Sequence, residues 1–299
     1  MKFRIIIKKW TIFYFFIQNL SEWHFSCMKE YNTIWRQEFG PFTEQQENLL
    51  KQFNNVHQNY SFGKNYLGQY FYFNDEPLQL LQTIIPTDKF EVISKTFSMF
   101  KNKFDIFYEK ENVLLKNWQK LLEEKLNNAN QNKLITETLK ILYNNKNSED
   151  EVDVFLLPST GNVTSGSGNI GNTKSIAIAI SHQPLENHNH IMAVLWHEVV
   201  HRFFEKEHFF PLIQQIFTSD QDAINLVKEA TVSSLFPNGL LGKKFFEINN
   251  NSLNKKLPES YNNPILKLTE QYLEQNKAFD QKYVNNIYSI TSDLKGTLK

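Results

Sequence analysis

The chain has 299 residues, 41% hydrophobic and 21% charged, so it is long enough to bury a sizeable core, and wholesale disorder is excluded. Its 32 basic and 32 acidic residues cancel to a formal net charge of zero, which leaves no electrostatic footprint for nucleic acid or for an anionic membrane surface. The single cysteine, Cys27, excludes an internal disulfide framework and a cysteine-based zinc site.

The N-terminal stretch MKFRIIIKK carries Lys2, Arg4, Lys8 and Lys9, and the apolar run Trp10–Ile17 follows it. This has the shape of the charged and apolar regions of a signal peptide. The run is too short to span a bilayer, and no transmembrane span is expected. HFSC, ending at Cys27, partly matches a lipoprotein box but lacks the leucine three residues before the cysteine, and Met28 is an alternative start. Residues 1–27 therefore read either as a signal or lipoprotein segment or as a mis-assigned start. Export (periplasmic or lipoprotein-anchored) and a cytoplasmic location both stay open.

Residues 28–150 read as a mostly helical N-terminal region. Glu111–Leu126 places Val113, Leu114, Trp118, Leu121 and Leu122 at helical spacing, and Lys133–Tyr143 repeats the pattern. Such stripes are core-forming faces and carry no recognisable chemistry. Tyr70–Asn74 is an irregular aromatic patch. The polar stretch NNKNSEDE marks a break, after which residues 151–299 form a second region of different character.

Val152–Pro158 and Ser175–Ser181 read as strands, with period-2 alternation or full burial. The loop between them contains Gly166-Ser-Gly168-Asn-Ile-Gly171, a formal GxGxxG. A dinucleotide site needs a helix opening on the last glycine. Here another strand follows, so a flexible hairpin loop is the expected structure. The fold class is α+β, predominantly helical, with a small antiparallel sheet.

The next helix, within His188–Glu205, is apolar nearly all round, which is the mark of a buried helix. It contains His197-Glu198-Val-Val-His201. Positions i and i+4 share a helix face, so two imidazoles can reach one ion. Glu198 lies about 100° around the axis, placed to reach a water on that ion without binding the metal itself. Zinc in such a site acidifies its water and polarises a carbonyl. Glu198 is then the general base.

A catalytic zinc takes three protein ligands and keeps an open position. The class with a third histidine, HExxHxxGxxH, is rejected. Phe204 stands where its glycine would be, Glu207 where its histidine would be, and His208 falls one residue late. The alternative is a glutamate from a following helix. Ser219–Phe236 supplies one, with Ser219 or Asp220 as cap, an apolar side from Ala223, Leu226, Val227, Ala230 and Leu235, and Glu229 in the middle. Asp220 and Asp222 remain fallback third ligands. His182, His188 and His190 could form another metal site, but they read as solvated loop residues, since i and i+2 do not share a helix face.

His197-Glu198-x-x-His201 followed by Glu229-Ala230 resembles the gluzincin clan of zinc metallopeptidases, with a thermolysin-like active-site core. HEVVHRFF and KEATVSSLFPNG are also similar to bacterial gluzincin-like proteins. The resemblance covers about residues 152–239. It implies a zincin-like core in which an edge strand, at about 175–181, pairs with an extended peptide. It implies zinc, one per chain, on His197, His201 and Glu229, with Glu198 as base and a peptide or protein as substrate. The clan's aspartate four residues after the glutamate is Ser233 here, a weaker acceptor for the first histidine. The clan's oxyanion donor has candidates in His208, Tyr261, Tyr272, Tyr283 and Tyr288. The alternatives are a non-catalytic helical binding protein, with the histidines as satisfied core groups, and an inactive zincin-like fold. Oligomeric state is not readable.

Overall fold

The computed structural model describes residues 1–23, 27–57, 67–146, 151–161, 165–167, 174–218, 220–248 and 259–294. Its helices are α1 (Lys9–Leu20), α2 (Lys29–Phe39), α3 (Glu44–His57), α4 (Gly68–Phe73), α5 (Pro77–Ile84), α6 (Thr87–Leu126), α7 (Ala129–Leu142), α8 (His188–Val199), α9 (Phe209–Phe217), α10 (Gln221–Leu235), α11 (Leu240–Phe246), α12 (Glu259–Glu274) and α13 (Gln281–Thr291). The strands are β1 (Lys2–Ile6), β2 (Glu151–Leu157), β3 (Ser165–Ser167) and β4 (Ser175–Ala179). The described residues are thus predominantly helical, with one small sheet among them. Among the described residues no helix is long and apolar enough to cross a membrane.

The chain forms two compact units: Ile5–Leu121 with Asp153–Leu185, and Met1–Arg4 with Leu122–Val152 and Glu186–Lys299. Both sequence regions, 28–150 and 151–299, contribute to each unit.

In the first of these units the phenylalanine excess has a structural purpose. The apolar run Trp10–Ile17 lies in α1, whose residues Thr11–Leu20 are all buried. An unbroken apolar surface is what a helix covered on every side requires. Phe13 stacks on Phe104 with centroids 3.9 Å apart, and Phe16 stacks on Phe107 at 4.7 Å. Phe97, Phe100, Phe104 and Phe107 recur at helical spacing along α6 and are all buried. Each such ring contributes about 1.5–3 kcal/mol by burial, and each well-placed pair about 0.5–1.5 kcal/mol more.

The sheet order is β1-β2-β4-β3. β2 and β4 run parallel, with Asp153 opposite Ser175 and Leu157 opposite Ala179. Only the three-residue β3 is antiparallel to β4. This corrects two expectations: the main pairing is parallel, and β4 is an inner strand with a neighbour on each side. The physical reason lies in SIAIA, in which isoleucine and alanine alternate and every residue is buried. A strand covered on both faces shows no polar side, and that is the habit of buried parallel strands. The connection from β2 to β4 is therefore not the hairpin expected, since the two run parallel; β3, which lies between them in sequence, pairs antiparallel with β4. Residues 168–171 of the GxGxxG stretch and the break at 147–150 lie outside the described residues.

The same unit holds a buried carboxylate in mid-helix. Glu111 of α6 is 1% exposed. Ser181 Oγ donates to its Oε2, and His182 Nε2 donates to Oε1 at 2.7 Å. His182 is therefore a partner of the core, which corrects its reading as a solvated loop residue. The Glu111 hydrogen bond raises the imidazole pKa, and it outweighs partial burial and Lys110, which lower it. A folded-state pKa above the unfolded value gives stability that is complete below about pH 6.5 and is lost as pH rises through the folded pKa. Urea midpoints of the wild type should accordingly fall between pH 6 and 8 by more than those of His182→Gln. Equal pH slopes in the two proteins would contradict this.

The second unit is built around α10, which packs against α8, α9, α11, α12 and α13. Asp220 caps α10 by accepting from the Ala223 amide at 3.1 Å. Ser219 lies outside the described residues. Small residues on α10 let its neighbours approach. A polar bridge crosses there, from Thr269 Oγ1 to Ser234 Oγ at 2.8 Å and to Tyr283 OH at 2.9 Å. The turn from α10 into α11 needs two glycines. A Cβ on Gly239 would sit 2.2 Å from the Ser234 backbone, and one on Gly242 would sit 1.7 Å from the Pro237 carbonyl oxygen. That close return holds the backbone at Phe236 beside α8.

Candidate metal centre

His197 lies in the last turn of α8. Behind it Trp196 is fully buried, edge-on to Phe3 at 5.3 Å and stacked with Phe236 at 6.3 Å. The helix then widens into a π-helical turn over Val200–Phe204 that carries His201. Glu205 closes that turn, its amide donating to the Val200 carbonyl at 3.3 Å. Asn145 Nδ2 satisfies the Phe203 carbonyl at 2.7 Å. Widened turns of this kind are concentrated at functional sites, because they re-aim the side chains that follow.

Glu229 comes from the middle of α10. His201 Nε2 lies 3.1 Å from His197 Nε2 and 3.3 Å from Glu229 Oε1, and His197 Nε2 lies 3.8 Å from Glu229 Oε2. Among the described residues these three side chains form a set whose donor atoms all fall within 4.8 Å of one another. The two histidine side chains are 13% and 16% exposed and that of Glu229 is 39%, so the cluster is dry on the imidazole side and open on the carboxylate side.

The other ring nitrogens decide what the cluster can hold. His197 Nδ1 faces the Phe236 carbonyl oxygen at 3.0 Å, and His201 Nδ1 faces Glu205 Oε1 at 3.0 Å. A carbonyl or carboxylate oxygen only accepts, so each Nδ1 carries a hydrogen and each neutral ring presents a lone pair at Nε2. Two lone pairs and a carboxylate then point at one spot. A proton, a hydrogen-bond donor or a cation satisfies that arrangement. Two imidazoles and one carboxylate, each with its outer nitrogen or oxygen aimed inward, fit a zinc ion that keeps an open position.

No family model, curated protein or solved structure matches the chain.

The charges around the cluster are mutually dependent. Burial disfavours the charged form of His201, but Glu205 and Glu229 outweigh it and hold the imidazole pKa well above its usual value. Burial opposes ionisation of Glu229 too, and His201 overrides it, so the carboxyl lies far below the carboxylate range. Glu205 behaves alike: burial is overridden by His201 and then Lys228.

Glu198 is half-buried on α8, one residue beyond His197. Ser233 is fully buried on α10, and the acceptor facing His197 Nδ1 is the Phe236 carbonyl. Asp220 is committed to the α10 cap, and neither it nor Asp222 belongs to the cluster. His188 and His190 lie on α8 itself.

The oxyanion candidates are dispersed. His208 is the residue preceding α9. Tyr261 OH donates to Asp293, and Tyr272 OH donates to Asp280 at 2.7 Å. Tyr288 lies against Phe217 with centroids 4.7 Å apart. Tyr283 is fully buried, and burial pushes its phenol up to about 12.

Two participants escaped the sequence reading. Phe236 acts through its backbone, so no side-chain pattern marks it. Glu205 was visible as HRFFE, a carboxylate four residues after His201.

Proposed function

We propose that the chain is a zinc-dependent hydrolase, a metallopeptidase of the gluzincin type in its ligand set. The zincin-like part is α8, the π-helical turn and α10. The observation that carries the proposal is the convergence of His197 Nε2, His201 Nε2 and the Glu229 carboxylate, with both Nδ1 atoms already committed to acceptors. His197, His201 and Glu229 hold the ion.

Zinc supplies an acidified water and a polarised substrate carbonyl when it is bound. The chain's own residues do the rest. The Phe236 carbonyl and Glu205 fix the two imidazole rings. The Glu198 carboxylate takes a proton from the attacking water and returns it to the leaving nitrogen as the C–N bond breaks. Glu229, the more exposed ligand, lies on the side open to substrate. β4 has a strand on each side, so the proposal gives it no part in pairing with substrate.

The test is cleavage of a mixed peptide library by purified protein. Cleavage should stop with a chelator and return with added zinc. Cleavage indifferent to the chelator would contradict the metal. A zinc-loaded protein that leaves the library intact would favour an inactive zinc-binding fold.

A further inference from the structure

The two imidazoles of the cluster are oriented by different means. His197 leans on a backbone carbonyl that no side-chain substitution removes. His201 leans on Glu205, a carboxylate that is itself 1% exposed. A buried carboxylate is costly unless each oxygen finds a partner. Glu205 Oε1 is hydrogen-bonded to His201 Nδ1 at 3.0 Å. Among the described residues Oε2 has no hydrogen-bond partner and is compensated by charge alone, in an ion pair with Lys228 Nζ at 3.2 Å.

We propose that Glu205 is the positioning residue of the metal centre. It holds His201 in the tautomer and ring orientation that aim Nε2 at the ion, and Lys228 holds Glu205. This rests on the metal-centre reading proposed above. The local backbone is shaped for it. The π-helical turn closes through the Glu205 amide, so the side chain leaves the helix at the level of the His201 ring. Lys228 precedes Glu229 on α10, and its ammonium also lies over the Phe210 ring at 5.1 Å. One helix thus supplies a ligand and, from the adjacent residue, the clamp on the group that orients another ligand. Outer partners of this kind set ligand tautomer and geometry, and their loss weakens metal binding by about 10–100-fold.

A purely structural ion pair would behave differently, and Lys228→Met separates the two cases. It breaks the Glu205–Lys228 pair but leaves the Glu205–His201 hydrogen bond. Zinc dissociation constants are measured by competition with a chromophoric chelator, and thermal midpoints on the metal-free proteins. Glu205→Gln should bind zinc about 10–100-fold more weakly than wild type, and Lys228→Met should lose less affinity. Should Glu205→Gln fail to fold, Glu205→Asp serves in its place, since it keeps the charge but withdraws the oxygen from Nδ1 and should also weaken binding. Wild-type zinc affinity in the folded Glu205 variant would overturn the proposal. So would a loss in Lys228→Met as large as that in the Glu205 variant. A wild-type protein that binds no zinc at all would fail the metal reading itself, which is a different outcome.

Discussion

Glu198→Gln is expected to retain zinc at the wild-type level and to lower kcat by about 10²–10⁴-fold, the range that a positioned general base contributes. Glutamine is close to glutamate in size and remains half-buried at the same place on α8, so the fold and the two imidazoles should be unaffected. What it lacks is the capacity to take a proton. KM should change less than kcat, because substrate binding does not draw on the missing charge. Peptide cleavage at a range of substrate concentrations, with metal content measured on the same preparations, checks this. A variant with wild-type kcat would remove Glu198 from the reaction. A variant that loses zinc together with activity would make it a structural support of the site.

The grouping of the HExxH pair with Glu229 was legible in residue order, because a shared ion ties residue type to spacing, and the three side chains do come together. Two imidazoles one helical turn apart can serve one ion. The departure from a third-histidine pattern at Phe204 and Glu207 pointed to a carboxylate from a following helix, Glu229 first with Asp220 and Asp222 as fallbacks. In the structure that helix is α10, with α9 in between. In the structure the pair and Glu229 stand 3.3 and 3.8 Å apart. The supports of the site were harder to see. The acceptor for His197 is a main-chain oxygen, placed by the turn into α11 that Gly239 and Gly242 permit. The clamp on His201 involves Lys228, which is remote in sequence from Glu205. Ser233, taken for the first histidine's acceptor by analogy of spacing, is buried on α10.

The helical majority was legible in the spacing of α6 and α7, but not the buried face: Trp118 and Leu122 are buried, whereas Val113, Leu134 and Ile141 are exposed. Strand direction was legible only in part: the absence of a polar side in SIAIA is the habit of buried parallel strands, but so short an apolar run also fits a core strand of an antiparallel sandwich. An apolar octet behind lysines reads alike as a leader or as a core helix, and only its neighbours Phe97, Phe104 and Phe107 show α1 as buried. The His182–Glu111 pair joins residues 71 positions apart, beyond the reach of any local pattern.

The most direct measurement is the zinc bound to purified wild type, Glu229→Ala and His197→Ala, by elemental analysis and chelator competition. One zinc per chain is expected in the wild type. Removing a ligand should cost at least the 10–100-fold in affinity that even a supporting residue contributes, since it leaves two ligands and an uncompensated opening. Glu229→Ala distinguishes this site from a histidine pair binding alone, because Asp220 is committed to capping α10. Near-stoichiometric zinc in the wild type, lost in both variants, is the predicted result. A wild-type protein free of zinc, or zinc held with equal affinity when Glu229 is absent, would contradict the three-residue centre.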